Sequence, residues 1–370
     1  MDFREESGIG FDEYFEASFA IRKASDVLAE NADRHDPERL LSTLWRRGEL
    51  AVMFGASDTG KSMFATQIGR ALAAGEAIGP FDVQGGPRRV LYIDIKLTDQ
   101  QWASRYVCGK TPEQRKIAEF PDNFKRVSLF RDGPLPDGCK NFTQVLIRAV
   151  EKAVRLKRPD VLIIDNITQL KHSNHITRDV IPLMQELSRL KREFGLSILV
   201  LARSEPRAWA TGVEIGDLRS ASVICNYADT VFGIGKTATG DLHYVKQLRS
   251  YSGETLYNSS HTAVFRIGRN IASNFIGFLF EYFASEHDVR RGSHGHVQSP
   301  HVDEAKRLFD TGLSYGEVGE KLGVSKTSAH RWVQMWKPPE QRCKHDYRPP
   351  PVHPPEQPII PVDDLRWDSG

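Results

Sequence analysis

One eight-residue segment restricts the fold of this chain more than any other feature of its sequence. Residues 55–62 read Gly-Ala-Ser-Asp-Thr-Gly-Lys-Ser and fit the pattern G-x-x-x-x-G-K-[ST]. A short apolar run, 50–54, precedes the segment, and a helical pattern follows it from Met63 to Ala74. A turn of this kind, between a buried strand and a helix, is the context in which the motif binds phosphate. The segment therefore predicts a phosphate-binding loop in an α/β fold.

The residue types in this loop suit a nucleoside triphosphate and magnesium. Glycines let the backbone turn tightly enough to direct N–H groups at phosphate oxygens. Lys61 is expected to neutralise the β- and γ-phosphates, and the Ser62 hydroxyl is expected to bind Mg²⁺. The other residues predicted to contact the nucleotide are Gly55, Ala56, Ser57, Asp58, Thr59 and Gly60. The predicted ligands are therefore ATP and Mg²⁺.

A second magnesium ligand is predicted at Asp165. This aspartate directly follows the apolar run 161–164. Its carboxylate should therefore lie at the C-terminal edge of a parallel strand, which is where open α/β sheets bind their ligands. Nucleotide-binding loops of this type use an acid at that edge to hold Mg²⁺. The alternative is an aspartate that only caps the turn before Asn166.

Apolar runs and helical patterns alternate through the middle of the chain. The runs lie at 50–54, 90–93, 161–164 and 198–201, and the helical patterns include 63–74, 145–156 and 180–194. This alternation predicts a parallel sheet with helices on both faces. After Tyr227 the pattern becomes strand-like, with strands predicted at 230–234, 242–246, 263–267 and 275–282. The predicted fold class is α/β with a mainly parallel sheet.

Composition places few limits on the partners of the chain. The 50 basic and 48 acidic residues give a net charge of +2, so any nucleic-acid surface must be local. The four cysteines form no C-x-x-C pair, and the N-terminus lacks a basic-then-apolar signal. No apolar run approaches the roughly 18 residues of a membrane helix. We therefore expect a cytoplasmic protein without a membrane partner.

Residues 301–337 show the pattern of three short helices. Gly323 suits the tight turn of a helix-turn-helix unit, and Ser325 suits the start of the third helix. No acid occurs between Ser325 and Lys337. Cations suit DNA phosphates, and Gln or Arg suits base edges, so DNA contacts are predicted for Lys326, Thr327, Ser328, His330, Arg331 and Gln334. The alternative is a small helical bundle that contacts protein.

These patterns together predict five segments. The last 33 residues hold 9 of the 20 prolines in the chain, which predicts an extended or disordered tail. The predicted segments are an N-terminal arm (1–45), an ATPase domain (46–288), a linker (289–300), a small all-α helix-turn-helix domain (301–337) and the proline-rich tail (338–370).

Several further stretches carry a family resemblance. They are 48–50, 90–94, 161–166, 195–202, 226–232 and 244–247, together with the phosphate-binding loop. Across residues 40–290 the sequence resembles RecA/DnaB-like P-loop ATPases of the RepA replicative-helicase type, and in particular AAA family ATPases of bacterial plasmids and mobilisable transposons. Residues 301–337 resemble helix-turn-helix domains of resolvases or transposases. The resemblance implies a RecA-like core, ATP hydrolysis, a DNA partner, a homo-oligomer, and a role in replication, mobilisation or transposition.

The sequence departs from this family at the expected catalytic glutamate. Relatives carry that glutamate two residues after an aspartate at the end of the second core strand, whereas this chain has Lys96 two residues after Asp94. A protonated lysine cannot act as a base, which leaves Asp94 as a candidate to position water. Lys246 and Arg249 lie where relatives place a basic element that acts in trans on a neighbour's γ-phosphate.

Three interpretations remain open at this point. The first is an ATPase, and the second is a catalytically weak DNA-binding regulator that is gated by ATP. Losing one water-orienting group lowers the rate of phosphoryl transfer without abolishing nucleotide binding. Both interpretations are therefore consistent with a lysine at position 96. The third is a scaffold whose helical unit binds protein.

Overall fold

The computed structural model of the chain divides into two units, Met1–Pro37 and Glu38–Gly370. It describes residues 20–32, 36–109, 111–129, 134–167, 176–204, 212–238, 242–251, 255–270, 273–291, 300–322 and 326–335, and the single residues 12, 15, 240 and 253. The predicted tail, Gly323 and Ser325 lie outside the described residues. In the first unit, helix α1 (Ala24–Asn31) has no buried residue.

The second unit contains the strands and the remaining helices. The strands are β1 (Arg39–Leu41), β2 (Trp45–Arg46), β3 (Leu50–Gly55), β4 (Val90–Asp94), β5 (Val107–Cys108), β6 (Lys116–Ile117), β7 (Phe124–Ser128), β8 (Val161–Asp165), β9 (Ser197–Arg203), β10 (Thr230–Lys236), β11 (Leu242–Ser250), β12 (Thr262–Arg269) and β13 (Ile276–Ala284). The helices are α2 (Lys61–Ala74), α3 (Asp99–Tyr106), α4 (Phe142–Lys157), α5 (Ile176–Phe194), α6 (Glu286–Arg291), α7 (Pro300–Asp310), α8 (Tyr315–Lys321) and α9 (Lys326–Met335). Segments Pro112–Gln114 and Ile215–Tyr227 form 3₁₀ turns.

A nine-stranded sheet forms the centre of this unit, in the order β13-β12-β11-β10-β3-β9-β8-β4-β7. The strands from β10 to β7 in that order are parallel, and β11, β12 and β13 are antiparallel. The prediction of a mainly parallel α/β sheet is therefore confirmed. Every strand predicted from the sequence is present, and β7 is an additional strand at the edge of the sheet.

The two faces of the sheet bury two hydrophobic cores. Along β3, Leu50, Val52 and Phe54 face the core that contains α4 and α5. The alternate residues Ala51 and Met53 face the core that contains α2. Successive side chains of a strand point to opposite faces, so an unbroken apolar run is what a doubly covered parallel strand requires. This arrangement fixes the C-terminal end of β3, where the phosphate-binding loop begins.

The core extends beyond both ends of the predicted ATPase domain. The antiparallel pair β1–β2 begins within the predicted arm and ends one residue beyond it, yet Leu40 and Trp45 are completely buried against the α2 side of the sheet. The second unit accordingly begins at Glu38 rather than at residue 46. At the other end, α6 continues into the predicted linker, and its Val289 is buried in the α4–α5 core.

Three helices follow where the sequence predicts them. Helices α7, α8 and α9 enclose their own apolar core, formed by Val302, Ala305, Leu308, Val318, Ala329, Trp332 and Val333. The Ser314 side chain accepts a hydrogen bond from the Glu317 amide and caps α8. The Trp332 indole N–H donates to the Glu281 carbonyl oxygen at 2.6 Å, which joins α9 to edge strand β13. Among the described helices, none has the length and apolarity needed to cross a bilayer.

Candidate nucleotide-binding site

The predicted phosphate-binding loop connects β3 directly to α2. Gly60 has a φ of +80°, which favours glycine, and no side chain caps the amides at the start of α2. A Cβ at Gly60 would lie 2.6 Å from Ile267 Cδ1 and 2.8 Å from Phe278 Cε2. A Cβ at Gly55 would lie 2.6 Å from the Ile234 carbonyl oxygen. The loop is therefore packed tightly against the sheet and leaves the helix amides available to an anion.

Lys61 begins α2 and is mostly buried. Its ammonium group donates a 2.6 Å hydrogen bond to the Ala56 carbonyl oxygen, inside the loop itself. Burial lowers the pKa of Lys61 to about 8, while the nearby Asp165 carboxylate acts to raise it. A buried ammonium is stabilised by an anionic ligand, which is the role predicted for this lysine.

Asp165 ends β8 and is 3% exposed. The Tyr92 hydroxyl donates to its Oδ2 at 2.7 Å. Burial raises the pKa of Asp165, and hydrogen bonds from Ser62 and Tyr92 act in the opposite direction. A buried carboxylate beside a serine hydroxyl provides the hard oxygen ligands that Mg²⁺ prefers, with room for water and phosphate oxygens to complete the coordination. The donor set therefore fits Mg²⁺.

A cavity of about 290 Å³ joins these groups. Of the residues predicted to bind nucleotide or magnesium, those that line it are Ser57, Asp58, Gly60, Lys61, Ser62 and Asp165. The other loop residues, Gly55, Ala56 and Thr59, are not among the residues that line the cavity. The Thr59 hydroxyl donates to the Ala56 carbonyl oxygen at 3.0 Å. In the described part of the chain, no cluster of three or more His, Cys, Asp or Glu residues could hold a metal ion. The predicted magnesium site needs only two protein ligands.

Asp94 has a structural role that conflicts with the predicted positioning of water. It is 1% exposed, and its Oδ2 accepts a 2.9 Å bond from the Arg126 guanidinium. Its Oδ1 accepts bonds from the amides of Lys96 at 3.0 Å and Leu97 at 2.9 Å. Both carboxylate oxygens are thus engaged in holding the turn after β4. Sequence reasoning missed this role because Arg126 comes from the unpredicted strand β7.

Three cations that were not predicted as site residues also line the cavity: Lys96, Arg105 and Arg203. Arg105 belongs to α3, a helix that the sequence analysis did not predict. The sequence signal for this helix is the capping box formed by Thr98 and Gln101. Each of these side chains accepts a hydrogen bond from the backbone amide of the other residue. Lys96 stands at the family departure noted in the sequence, just after β4, and Arg203 is the last residue of β9.

The two residues proposed to act in trans lie elsewhere. Lys246 is buried, and its ammonium donates to Glu286 Oε2 at 2.6 Å and to the Val213 carbonyl oxygen at 3.0 Å. This ion pair gives Lys246 structural partners within its own chain, and its action in trans stays a prediction. Arg249 is half-buried and donates to the carbonyl oxygens of Cys225 and Ala228. Its guanidinium also lies 4.9 Å from the centre of the Tyr251 ring, so its side chain is held within its own subunit.

The predicted DNA-contacting helix corresponds to α9. Lys326, His330 and Gln334 are exposed on it, whereas the side chains of Thr327, Ser328 and Arg331 lie outside the described residues. The His330 ring contacts the Tyr315 ring edge-on, at 4.7 Å between centres. The buried side of α9 comprises Ala329, Trp332 and Val333.

One comparison with known proteins matches the part of the chain that contains this site. A family model described as an AAA domain matches residues 18–205, a range that contains the loop, Asp94, Asp165 and Arg203. Among solved structures, the chain is similar to a KaiC-like protein of the hyperthermophilic archaeon Pyrococcus horikoshii OT3. The sequence identity is 14% and the TM-score is 0.43, over 63% of this chain and 90% of the other. No curated protein matches the sequence.

Proposed function

Because the chain belongs to the AAA domain family, whose model matches just over half of its length, we propose that it binds ATP with Mg²⁺ and hydrolyses ATP slowly. One observation supports this proposal above all. Lys61, Ser62 and Asp165 line a single cavity at the C-terminal edge of a parallel sheet, in front of uncapped helix amides. Those are the groups that phosphoryl transfer requires for positioning and for charge neutralisation.

The residues of the cavity would bind different parts of the MgATP complex. Lys61 would exchange its bond to the Ala56 carbonyl oxygen for bonds to phosphate, and the phosphate charge would raise the lowered pKa of its ammonium. Ser62 and Asp165 would hold Mg²⁺, with Tyr92 fixing one oxygen of the Asp165 carboxylate. The metal supplies neutralisation of the charge on the β- and γ-phosphates.

The slow rate follows from the acids at the site. Among the described residues that line the cavity, the acids are Asp58 and Asp165, and no glutamate is present. Asp165 is assigned to the metal, and Asp94 is engaged by Arg126 and two amides. Positioning a water molecule without a dedicated carboxylate leaves the electrostatic part of catalysis intact but lowers the turnover.

We further propose that the helical unit α7–α9 binds DNA, in the manner of a helix-turn-helix. The exposed residues Lys326, His330 and Gln334 on α9 combine a cation with hydrogen-bonding groups suited to phosphates and base edges. With the sequence resemblance, this favours a role in replication, mobilisation or transposition of a plasmid or mobile element, in an oligomer. A scaffold that contacts protein through α9 is the competing outcome of the DNA test.

A second candidate function is supported by the packing around β13. A Cβ on Gly60 would meet Phe278 of β13, and Gln67 of α2 exchanges two hydrogen bonds with the Phe278 backbone, at 3.0 and 2.7 Å. Three residues later, the Glu281 carbonyl oxygen accepts the bond from Trp332 of α9. One strand therefore touches both the phosphate-binding loop and the helical unit. That continuity favours a regulator whose DNA affinity depends on nucleotide occupancy.

Two measurements test these proposals. The first is steady-state phosphate release by the wild type, Lys61→Ala and Lys96→Glu, with and without duplex DNA. At saturating ATP we expect a low wild-type rate, none for Lys61→Ala, and a higher rate for Lys96→Glu. A rapid wild-type rate would contradict the assignment of a weak site, and retained activity in Lys61→Ala would contradict the site itself.

The second measurement is duplex DNA affinity against salt concentration, with ATP and with ADP. A helix-turn-helix function predicts an affinity that falls steeply with salt and weakens in a Lys326→Ala variant. A different affinity in ATP and in ADP would support the nucleotide-gated regulator. Absence of DNA binding at low salt would favour the protein-contacting scaffold.

A further inference from the structure

The nucleotide cavity carries a surplus of positive charge that does not come from the phosphate-binding loop. Lys96 follows β4, Arg105 belongs to α3, and Arg203 is the last residue of β9. Three separate segments thus contribute one cation each. Counting Lys61, the described lining residues include four cations against the two acids Asp58 and Asp165.

The sheet topology explains why two of these cations meet at the site. β9 lies between β3 and β8, and Arg203 is in register with Gly55, where the loop begins. β4 lies beside β8, and Asp94 is in register with Asp165. Lys96 stands two residues beyond Asp94, which binds the Lys96 amide and thereby fixes the turn. All of these positions belong to the C-terminal edge of the parallel strands, where a nucleotide is expected.

The four cations line one cavity of about 290 Å³ together with the phosphate-binding loop. Like charges that share a cavity repel, and an anionic ligand turns this repulsion into attraction. A triphosphate with one magnesium ion neutralises the surplus of positive charge more completely than a diphosphate with the same ion does.

We propose that Lys96, Arg105 and Arg203 together form a cationic arc that recognises the γ-phosphate, so that the chain distinguishes ATP from ADP with its own residues. The inference rests on the proposed function, because it concerns the same nucleotide site. The three residues determine specificity, and Asp94 is a positioning residue for Lys96.

The test compares the dissociation constants of MgATP, a non-hydrolysable ATP analogue and MgADP for the full-length protein. The variants are Lys96→Ala, Arg105→Ala, Arg203→Ala and Arg203→Lys. Lys152→Ala, which removes an exposed cation of α4, is the matched control. Each alanine substitution should weaken ATP and its analogue about tenfold, the loss of one charge-assisted hydrogen bond, and should change ADP affinity much less. Arg203→Lys should recover part of the loss, and the control should match the wild type.

The outcomes separate the inference from the proposed function. If the wild type binds both nucleotides and the variants weaken the binding of ATP and ADP equally, the cations attract phosphate in general and do not recognise the γ-phosphate. That result would refute the arc. Unchanged ATP affinity in all three alanine variants would refute it as well. If the wild type binds neither nucleotide in the presence of Mg²⁺, the proposed function fails together with the inference.

Discussion

Substituting either member of the buried pair Lys246–Glu286 distinguishes a structural role from a trans-acting one. The two side chains are 10% and 7% exposed, and their charged atoms are 2.6 Å apart. Glu286 also accepts bonds at Oε1 from the Tyr244 hydroxyl at 3.0 Å and from the Val213 amide at 2.8 Å. The pair therefore joins β11, α6 and the segment that precedes the 3₁₀ turn Ile215–Tyr227.

Removing one partner leaves the other charged group buried without compensation. Loss of one member of a buried ion pair costs about 3–5 kcal/mol. Because both side chains are nearly inaccessible, solvent screening reduces this figure little. We therefore expect Glu286→Gln and Lys246→Met each to lower the free energy of unfolding by roughly 3 kcal/mol. The double variant should lose much less than the sum of the two, since it leaves no unpaired charge.

Urea unfolding at neutral pH measures these losses, and ATPase activity per folded molecule is measured on the same samples. Lys306→Met, which disrupts an exposed pair on α7, is the control and should cost about 0.5 kcal/mol or less. Suppose instead that Lys246→Met left stability unchanged and abolished ATP hydrolysis, while Glu286→Gln had no effect on either. That result would refute the structural assignment and support the trans-acting one.

Three further predictions concern local packing and protonation. Gly60→Ala places a Cβ 2.6 Å from Ile267 Cδ1 in a backbone with positive φ. Thermal unfolding should therefore show that the free energy of unfolding falls by more than about 1 kcal/mol, and calorimetry should show weaker ATP binding. Unaltered ATP affinity would contradict the described loop. Trp332→Phe removes the bond to the Glu281 carbonyl oxygen and should cost about 1 kcal/mol in urea unfolding, whereas an unchanged midpoint would show that this bond contributes nothing. Burial lowers the pKa of His261, so just below pH 6.5 the unfolded chain binds more protons than the folded one. The free energy of unfolding should therefore fall as the pH drops through that window, and His261→Phe should flatten this part of the pH profile. If the ring were hydrated, His261→Phe would leave the profile unchanged.

Much of the fold could be predicted because its signals are local. The runs that became β3, β4, β8 and β9 are apolar on both faces, as buried parallel strands must be. Edge strand β7 escaped prediction because most of its residues are only partly buried, so the sequence Phe-Lys-Arg-Val-Ser shows no apolar run. The strands β1, β2, β5 and β6 are two or three residues long, which is too short for any periodicity to appear.

The residues of the candidate site also differ in whether their signals are local in the sequence. Lys61, Ser62 and Asp165 could be found because a motif and a strand end place them. The roles of Asp94 and Lys246 depended on distant partners: Arg126 lies 32 residues from Asp94, and Glu286 lies 40 residues from Lys246. Sequence spacing alone does not reveal such pairs.

Magnesium-dependent ATP binding tests the central claim most directly. The dissociation constant of ATP is measured by calorimetry with and without Mg²⁺ for the wild type, Lys61→Ala and Asp165→Asn. We predict that Mg²⁺ strengthens wild-type binding, that Lys61→Ala weakens binding at least tenfold (about 1.4 kcal/mol) in both conditions, and that Asp165→Asn removes most of the magnesium effect. Full retention of that effect in Asp165→Asn, or no ATP binding by the wild type, would contradict the account.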